Sequence, residues 1–317
     1  MAANKNSYKF LALLGSFLVL TSCSVEKNTG TTRFYHSLTS RYNIYFNGYE
    51  SYKAGLDKIY QSYKDDYSEV LRVFEFSDPS TVSSCSSDME RAVQKASKVI
   101  TLKSITAKPK EKEELTENER ELSGQKEYNQ WVDDSYLLIA KARFFKHEYD
   151  DSKSVFNYCI TQANDPHIVK EAGIWLARIY NETGNYTEAN RLLKEMDITT
   201  AFPDDLKEMY FTTMTDMFVR QKRYQDAIEP LSEGLGFARG KRSRYRLTYL
   251  LAQLNEKVGN APEATALYRE VVKMNPPYDV EFNARINLAG VFDISSGNPQ
   301  EIKKELERML RDTKNKE

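Results

Sequence analysis

A single short turn, repeated at a nearly constant interval between apolar helical runs, constrains this chain more than any other feature of its sequence. In "GIWLARIYNETGNYTEANRLLKEM" Trp175, Leu176, Ala177 and Tyr180 recur at helical spacing, Gly184-Asn185-Tyr186 makes a turn, and Ala189 and Leu193 continue on a second helix. The same turn returns as His147-Glu148-Tyr149, Lys222-Arg223-Tyr224, Gly259-Asn260-Ala261 and Ser296-Gly297-Asn298. The last residues of the five turns lie 37, 38, 37 and 37 residues apart. Small residues fall where paired helices must approach closely: Ala140, Ala177, Ala252 and Ala289 on first helices, Ser152, Ala189, Ala227 and Ala264 on second ones.

A lone helical hairpin leaves an apolar face in water, so hairpins repeated at this spacing must stack on one another. The pattern predicts an all-α, tetratricopeptide-like solenoid of about five hairpins over residues 128–317, with a period a little above the usual 34. Composition agrees. In 317 residues, 40% hydrophobic and 29% charged, Tyr is abundant (21) and Gly scarce (13). That suits helices with amphipathic rings packed between them and disfavours an all-β or nucleotide-cradling fold. The net charge of -1 gives no reason to expect a nucleic-acid partner.

The N-terminus carries its own signal. Lys5 and Lys9 precede an apolar run from Phe10 to Leu20, followed by Leu20-Thr21-Ser22-Cys23. The run is short for a membrane span and its ending fits a bacterial lipobox. Residues 1–22 are therefore expected to be a lipoprotein signal peptide, and Cys23 the acylated first residue of the mature chain. Two or more acyl chains, each contributing about 0.8 kcal/mol per buried CH2, anchor a protein stably. Residues 23–32 are polar and read as a tether. Of the other cysteines, Cys85 is expected to be a loop thiol and Cys159 a small buried residue, without a disulfide.

Residues 33–107 read as an irregular helical region that caps the array at its lipid end. The segment to Asp66 divides at Asn47-Gly48 into two helices, with Leu38, Tyr42, Tyr45 and Phe46 before the break and Tyr52, Leu56, Ile59 and Tyr63 after it. "EVLRVFEFSDPSTVSS" alternates as a strand does until Asp78-Pro79 ends it, which predicts an extended loop or a short strand. A helix is expected from Ser87 to Leu102. Residues 108–127 mix both charge signs without an apolar stripe and read as a charged loop, either mobile or forming an exposed helix.

Catalytic and metal constellations are not supported. His36, His147 and His167 have no companions at ligand spacing. Gly240-Lys241-Arg242-Ser243 departs from a phosphate loop, with Leu235 where the first Gly belongs and no Ser or Thr directly after Lys241. The pairs Asp133-Asp134 and Asp204-Asp205 sit at helix starts, where negative charge offsets the dipole. Neither an enzyme nor a cofactor beyond the lipid on Cys23 is expected.

Two surfaces remain as partner-binding candidates. Arg239, Lys241, Arg242, Arg244 and Arg246 cluster between the third and fourth hairpins, either as a solvated linker or as a docking patch for an acidic protein, an anionic lipid or peptidoglycan. First helices line the inner face of such arrays, so Lys141, Phe144, Arg178, Asn181, Arg246 and Tyr249 are expected in a groove for extended peptides or partner helices.

"FYHSLTSRYNIYFNGYES", "DMERAVQKASKVITLKSI", "WVDDSYLLIAKARFFKHEYDDS", "RYRLTYLLAQL" and "RMLRDTKNKE" resemble the PorW/SprE tetratricopeptide lipoproteins of Bacteroidetes. The resemblance implies a periplasm-facing, non-catalytic scaffold of the outer membrane in type IX secretion or gliding motility, with envelope or secretion-machinery proteins as partners. The chain is shorter than that family and stops within the repeats, as a shortened or truncated member would. A BamD-like outer-membrane assembly lipoprotein and a surface glycan-binding lipoprotein are the alternatives.

Overall fold

A computed structural model describes residues 27–110, 116–196, 198, 201–291 and 299–311. The described residues are all-α, with no strand. Cys23, the signal segment and the turn at Ser296-Gly297-Asn298 lie outside them. So does the C-terminal end from residue 312.

The helices are α1 (Gly30–Thr39), α2 (Phe46–Ser62), α3 (Thr81–Lys103), α4 (Glu117–Gly124), α5 (Gln130–Phe145), α6 (Tyr149–Gln162), α7 (Pro166–Glu182) and α8 (Tyr186–Glu195). They continue as α9 (Asp204–Arg220), α10 (Tyr224–Phe237), α11 (Lys241–Lys257), α12 (Ala261–Lys273), α13 (Tyr278–Val291) and α14 (Pro299–Arg311). The chain forms two compact units. Unit 1 takes the residues up to Ser62 and Asp78–Ile179, and unit 2 takes Tyr63–Ser77 and those from Tyr180 onward.

Four turns are built alike, which explains their fixed interval. His147, Gly184, Lys222 and Gly259 all have positive φ, at 57°, 76°, 57° and 82°. After each, the next amide donates five residues back: Glu148 to Arg143, Asn185 to Tyr180, Arg223 to Phe218 and Asn260 to Asn255, at 2.8–3.0 Å. This is the left-handed helix stop that satisfies the last carbonyls of the first helix. The second helix starts one residue later. Ala140, Ala177 and Ala252 on first helices and Ser152, Ala189, Ala227 and Ala264 on second ones are all fully buried. Ser152 adds a bond across its seam, its Oγ donating to the Ala140 carbonyl at 2.7 Å. Ala289 is only partly buried.

Unit 1 departs from the sequence expectation at its start. No break occurs at Asn47-Gly48: α1 passes through a π-helical stretch, Ser40–Tyr45, into α2. Gly48 serves close approach instead, since a Cβ there would stand 3.0 Å from Lys95 Cβ. The antiparallel partner of α2 is α3, which starts at Thr81, earlier than expected, after Asp78 accepts from the Ser80 amide at 2.9 Å. Cys85 lies inside α3 and is buried, so it is no loop thiol; Cys159 is buried on α6, and both are free. Burial pushes the Cys85 thiol up to about 11 and the Cys159 thiol up to about 12. Within the charged stretch, α4 is opened by a capping box between Thr116 and Glu119.

The turn geometry fixes an expected stability series. Gly184 has open space around its missing Cβ, so Gly184→Ala should lose about 1 kcal/mol through backbone conformation alone. Lys222→Gly, at the equivalent turn, should gain up to about 1 kcal/mol. Urea denaturation of both variants checks the pair; the same sign for both would refute the account.

Candidate functional site

The groove-side residues of unit 2 are already in contact with a peptide, and the peptide is residues 63–77 of the same chain. The segment leaves α2, belongs to unit 2, and rejoins unit 1 at Asp78. It carries the strand-like alternation seen in the sequence as far as Val73, with Leu71 and Val73 buried and Arg72 exposed, and closes in a 3-10 turn at Glu75–Ser77, where all three residues are buried. Extended backbone removed from water must find hydrogen-bond partners. Here the partners are side chains of α11.

Gln253 accepts from the Leu71 amide at 2.9 Å and donates to the Glu69 carbonyl at 2.8 Å, so one carboxamide pairs with both polarities of the main chain. Arg246 donates to the Val73 carbonyl at 2.8 Å and to the Arg72 carbonyl at 2.5 Å. Its remaining donors meet Asp65, at 2.7 and 3.0 Å. Arg242 pairs with Glu75 at 2.8 Å. Tyr67 packs edge-on against Tyr249, with ring centroids 5.3 Å apart, and its hydroxyl donates to Asp279 of α13 at 3.3 Å. Leu71 and Val73 join the apolar core with Leu250, Leu254, Leu267 and Val271.

The geometry follows from helix periodicity. Arg242, Arg246, Tyr249 and Gln253 are spaced four, three and four residues apart, one stripe of α11. The segment runs antiparallel to it. Eleven helical residues rise about 16 Å and five extended residues span about 16 Å, so one strand register is read along most of the helix. At the far end, Ser77 donates to Glu182 at 2.5 Å and receives Arg220 at 2.8 Å. Arg220 also binds Glu182 at 2.6 Å and Asp216 at 2.9 Å. Burial pushes the Asp216 carboxyl up to about 6, opposed by Arg220 and reinforced by Glu182. Burial disfavours the Arg246 cation, but Asp65 and Glu75 hold its pKa above the ordinary range.

The expected groove residues separate into several environments. Arg246 and Tyr249 are covered by residues 63–77, at 6% and 0% exposure. Asn181 is buried, donating to the Thr213 carbonyl at 2.9 Å and to Asp216 at 3.2 Å. In unit 1, Lys141 pairs with Glu171 at 2.7 Å, and Arg178 stacks 4.6 Å from the Trp175 ring. Phe144 reaches no groove; it is fully buried among Phe145, Tyr149 and Trp175. Of the basic cluster, Arg246 is buried against Asp65; Arg242 pairs with Glu75 and Lys241 donates to the Asn275 carbonyl at 2.9 Å, and both stay exposed, as do Arg239 and Arg244. Among the described residues no group of three or more His, Cys, Asp or Glu is placed to hold a metal ion.

Gln253 was missed from the sequence although a signal for it exists. Lys141 and Arg178 are 37 residues apart, and steps of 38 and 37 carry that position to Asp216 and Gln253. Asp65 and Glu75 had no signal, since nothing local in their segment names a helix so distant in sequence.

Residues 84–237 match the model of a tetratricopeptide repeat-like domain. Among solved structures the chain is similar to the crystal structure of the APC/C hetero-tetramer Cut9-Hcn1. Sequence identity is 11% and the TM-score is 0.43, over 91% of this chain and 47% of that one. The chain thus spans about half the length of that protein. None of the curated proteins compared with the chain matches it.

Two outcomes test the site. Arg246→Met strands Asp65 and two carbonyls in a buried place and should cost about 3–5 kcal/mol, while Gln253→Leu should cost about 2 kcal/mol. Limited trypsin digestion should then cut first after Arg72 in both variants, and uncut 63–77 would disprove the arrangement. For Asp216, a carboxyl that binds its proton more tightly when folded stabilises the fold as pH falls from about 6 toward its unfolded value. The stability of Asp216→Asn relative to the unsubstituted protein should therefore rise between pH 4 and about 6 and level off above about 7. Denaturation midpoints across that range check the sign.

Proposed function

We propose that this protein is a lipid-anchored scaffold of the cell envelope, which holds extended segments of other envelope proteins on its helical-hairpin surface. One observation carries the reading: two side chains of α11 bind four peptide groups of an extended segment. Contacts to main-chain groups suit many sequences, while the ion pairs of Arg242 with Glu75 and Arg246 with Asp65 favour segments with an acid toward each end. The tetratricopeptide-like repeats support protein partners in general.

The finer reading rests on the lipobox and the resemblance to PorW/SprE. In it, Cys23 carries the acyl lipid, the chain faces the periplasm from the outer membrane, and its partners belong to type IX secretion or gliding motility. The role is non-catalytic. Residues 63–77 act as a resident that an incoming segment must displace. A tethered resident competes at an effective concentration on the order of millimolar, so only a loosened one yields to a free peptide.

A labelled peptide with the sequence of residues 63–77 should bind the Asp65→Asn/Glu75→Gln variant at least about tenfold more tightly than the unsubstituted protein. Binding that ignores both the substitution and Arg246→Met would dismiss the groove. A pull-down from detergent-solubilised membranes with no specific envelope protein recovered by either form would count against the scaffold, and mass spectrometry showing an unmodified Cys23 would remove the anchor.

A further inference from the structure

We propose that the face of unit 1 carrying Phe34, Leu38, Tyr42, Phe46 and Tyr49 lies in the headgroup region of an anionic lipid surface. These side chains are 68%, 44%, 59%, 53% and 39% exposed, and Tyr35 beside them is 41% exposed. The described residues hold twelve exposed large hydrophobics, and six of them fall between residues 34 and 49. Scattered apolar side chains need no explanation, whereas a contiguous patch does.

The π-helical stretch keeps the patch in line. Steps of four residues drift around an ordinary helix by about 40° each. Across Ser40–Tyr45 the turn is wider, with the Phe46 amide donating to the Arg41 carbonyl. More residues per turn cancel much of that drift, so Phe34, Leu38, Tyr42 and Phe46 share one side. The stretch is held from behind: Ser40 is buried and its Oγ accepts from Asn129 at 3.0 Å. The opposite side of the rod, with His36, Gly48, Tyr52 and Ile59, is buried.

Charge selects the occupant. From Lys27 to Tyr49 there is no Asp or Glu, in a chain with 46 of them, while Lys27, Arg33 and Arg41 are present; acids of other elements, Glu127, Asp133, Asp134 and Asp165, line a cavity with Phe34 at one end of the patch. Arg41 lies beside the patch, 5.1 Å from the Tyr42 ring. Aromatic side chains flanked by basic ones, on a helix lying flat, match the boundary between headgroups and acyl chains. No helix among the described residues is long and apolar enough to cross a membrane. The proposal leans on the lipid-anchor reading for proximity: seven residue steps lead from Cys23 to the start of α1 at Gly30, a reach of at most about 25 Å.

The test uses the full chain with vesicles whose lipids carry a quencher at headgroup depth, with or without roughly a third anionic phosphatidylglycerol. Tyr42→Trp reports on the patch, and Tyr158→Trp, at an exposed position on α6, is the control. Emission from Tyr42→Trp should fall roughly twofold or more, further with anionic lipid, while Tyr158→Trp stays bright. If the protein floats with vesicles and both reporters stay equally bright, the proposal is overturned and the anchor stands. If Cys23→Ser leaves flotation unchanged but Phe34→Ser/Tyr42→Ser/Phe46→Ser abolishes it, the anchor reading fails and the patch is upheld. Self-association that the triple variant breaks, without quenching, would assign the face to a second copy and overturn the proposal.

Discussion

Peptide groups stripped of water must be paired, and for residues 69–73 the pairing comes from one helix. A sheet would satisfy such a segment with the ladder of a neighbouring strand, but the groove side of a helix has no free main-chain groups to offer. Side chains must then supply donors and acceptors at main-chain spacing. Gln253 does so because a carboxamide presents one of each in a plane. Arg246 does so because a guanidinium presents a rigid fork, here divided between two carbonyls and the Asp65 carboxylate. Lysine at position 246 would bring a point charge without the fork.

The hairpins give those side chains a fixed address. A seam of alanines lets paired helices come close, and where the series lacks alanine the substitutes stay compact. Ser152 turns its hydroxyl onto the Ala140 carbonyl, and Thr215, at the position equivalent to Ala177, donates back to the Phe211 carbonyl at 2.9 Å. Each hydroxyl is satisfied within the seam, so the polar atom does not carry an unpaired-group penalty. Rigid spacing follows, and with it the alignment of the α11 stripe along an extended chain.

Much of this was legible in the sequence, because the hairpin signal is local and repeated. The left-handed turn positions at 147, 184, 222 and 259 recur at the predicted spacing whether or not they hold glycine. The alternation marked an extended segment correctly from Glu69 to Val73, but not at Glu75–Ser77, which form a 3-10 turn. Its partner was hidden, since the contacts to Arg246 and Gln253 span more than 170 residues and involve a helix. Gly48 misled for a different reason: a glycine after asparagine suggests a turn, yet glycine also serves close helix packing. Arg246 and Tyr249 were placed on the groove side, but exposure was inferred for them when residues 63–77 cover both.

The same register explains why residues 63–77 suit unit 2. Counting back from Arg246 by 37, 38 and 37 residues gives Met209, Glu171 and Asp134. In unit 1 the positions equivalent to Arg246 are therefore acids. Burial raises the Asp134 carboxyl to about 6, with Asp133, Asp165 and Glu171 adding to the effect. Burial also opposes ionisation of Glu171, but Lys141 at 2.7 Å holds it below the ordinary range. A segment bearing Asp65 and Glu75 would meet carboxylates there, where in unit 2 it meets Arg246 and Arg242. Main-chain pairing supplies contacts that any extended peptide offers, and the charges at one recurring helix position decide which segment is accepted.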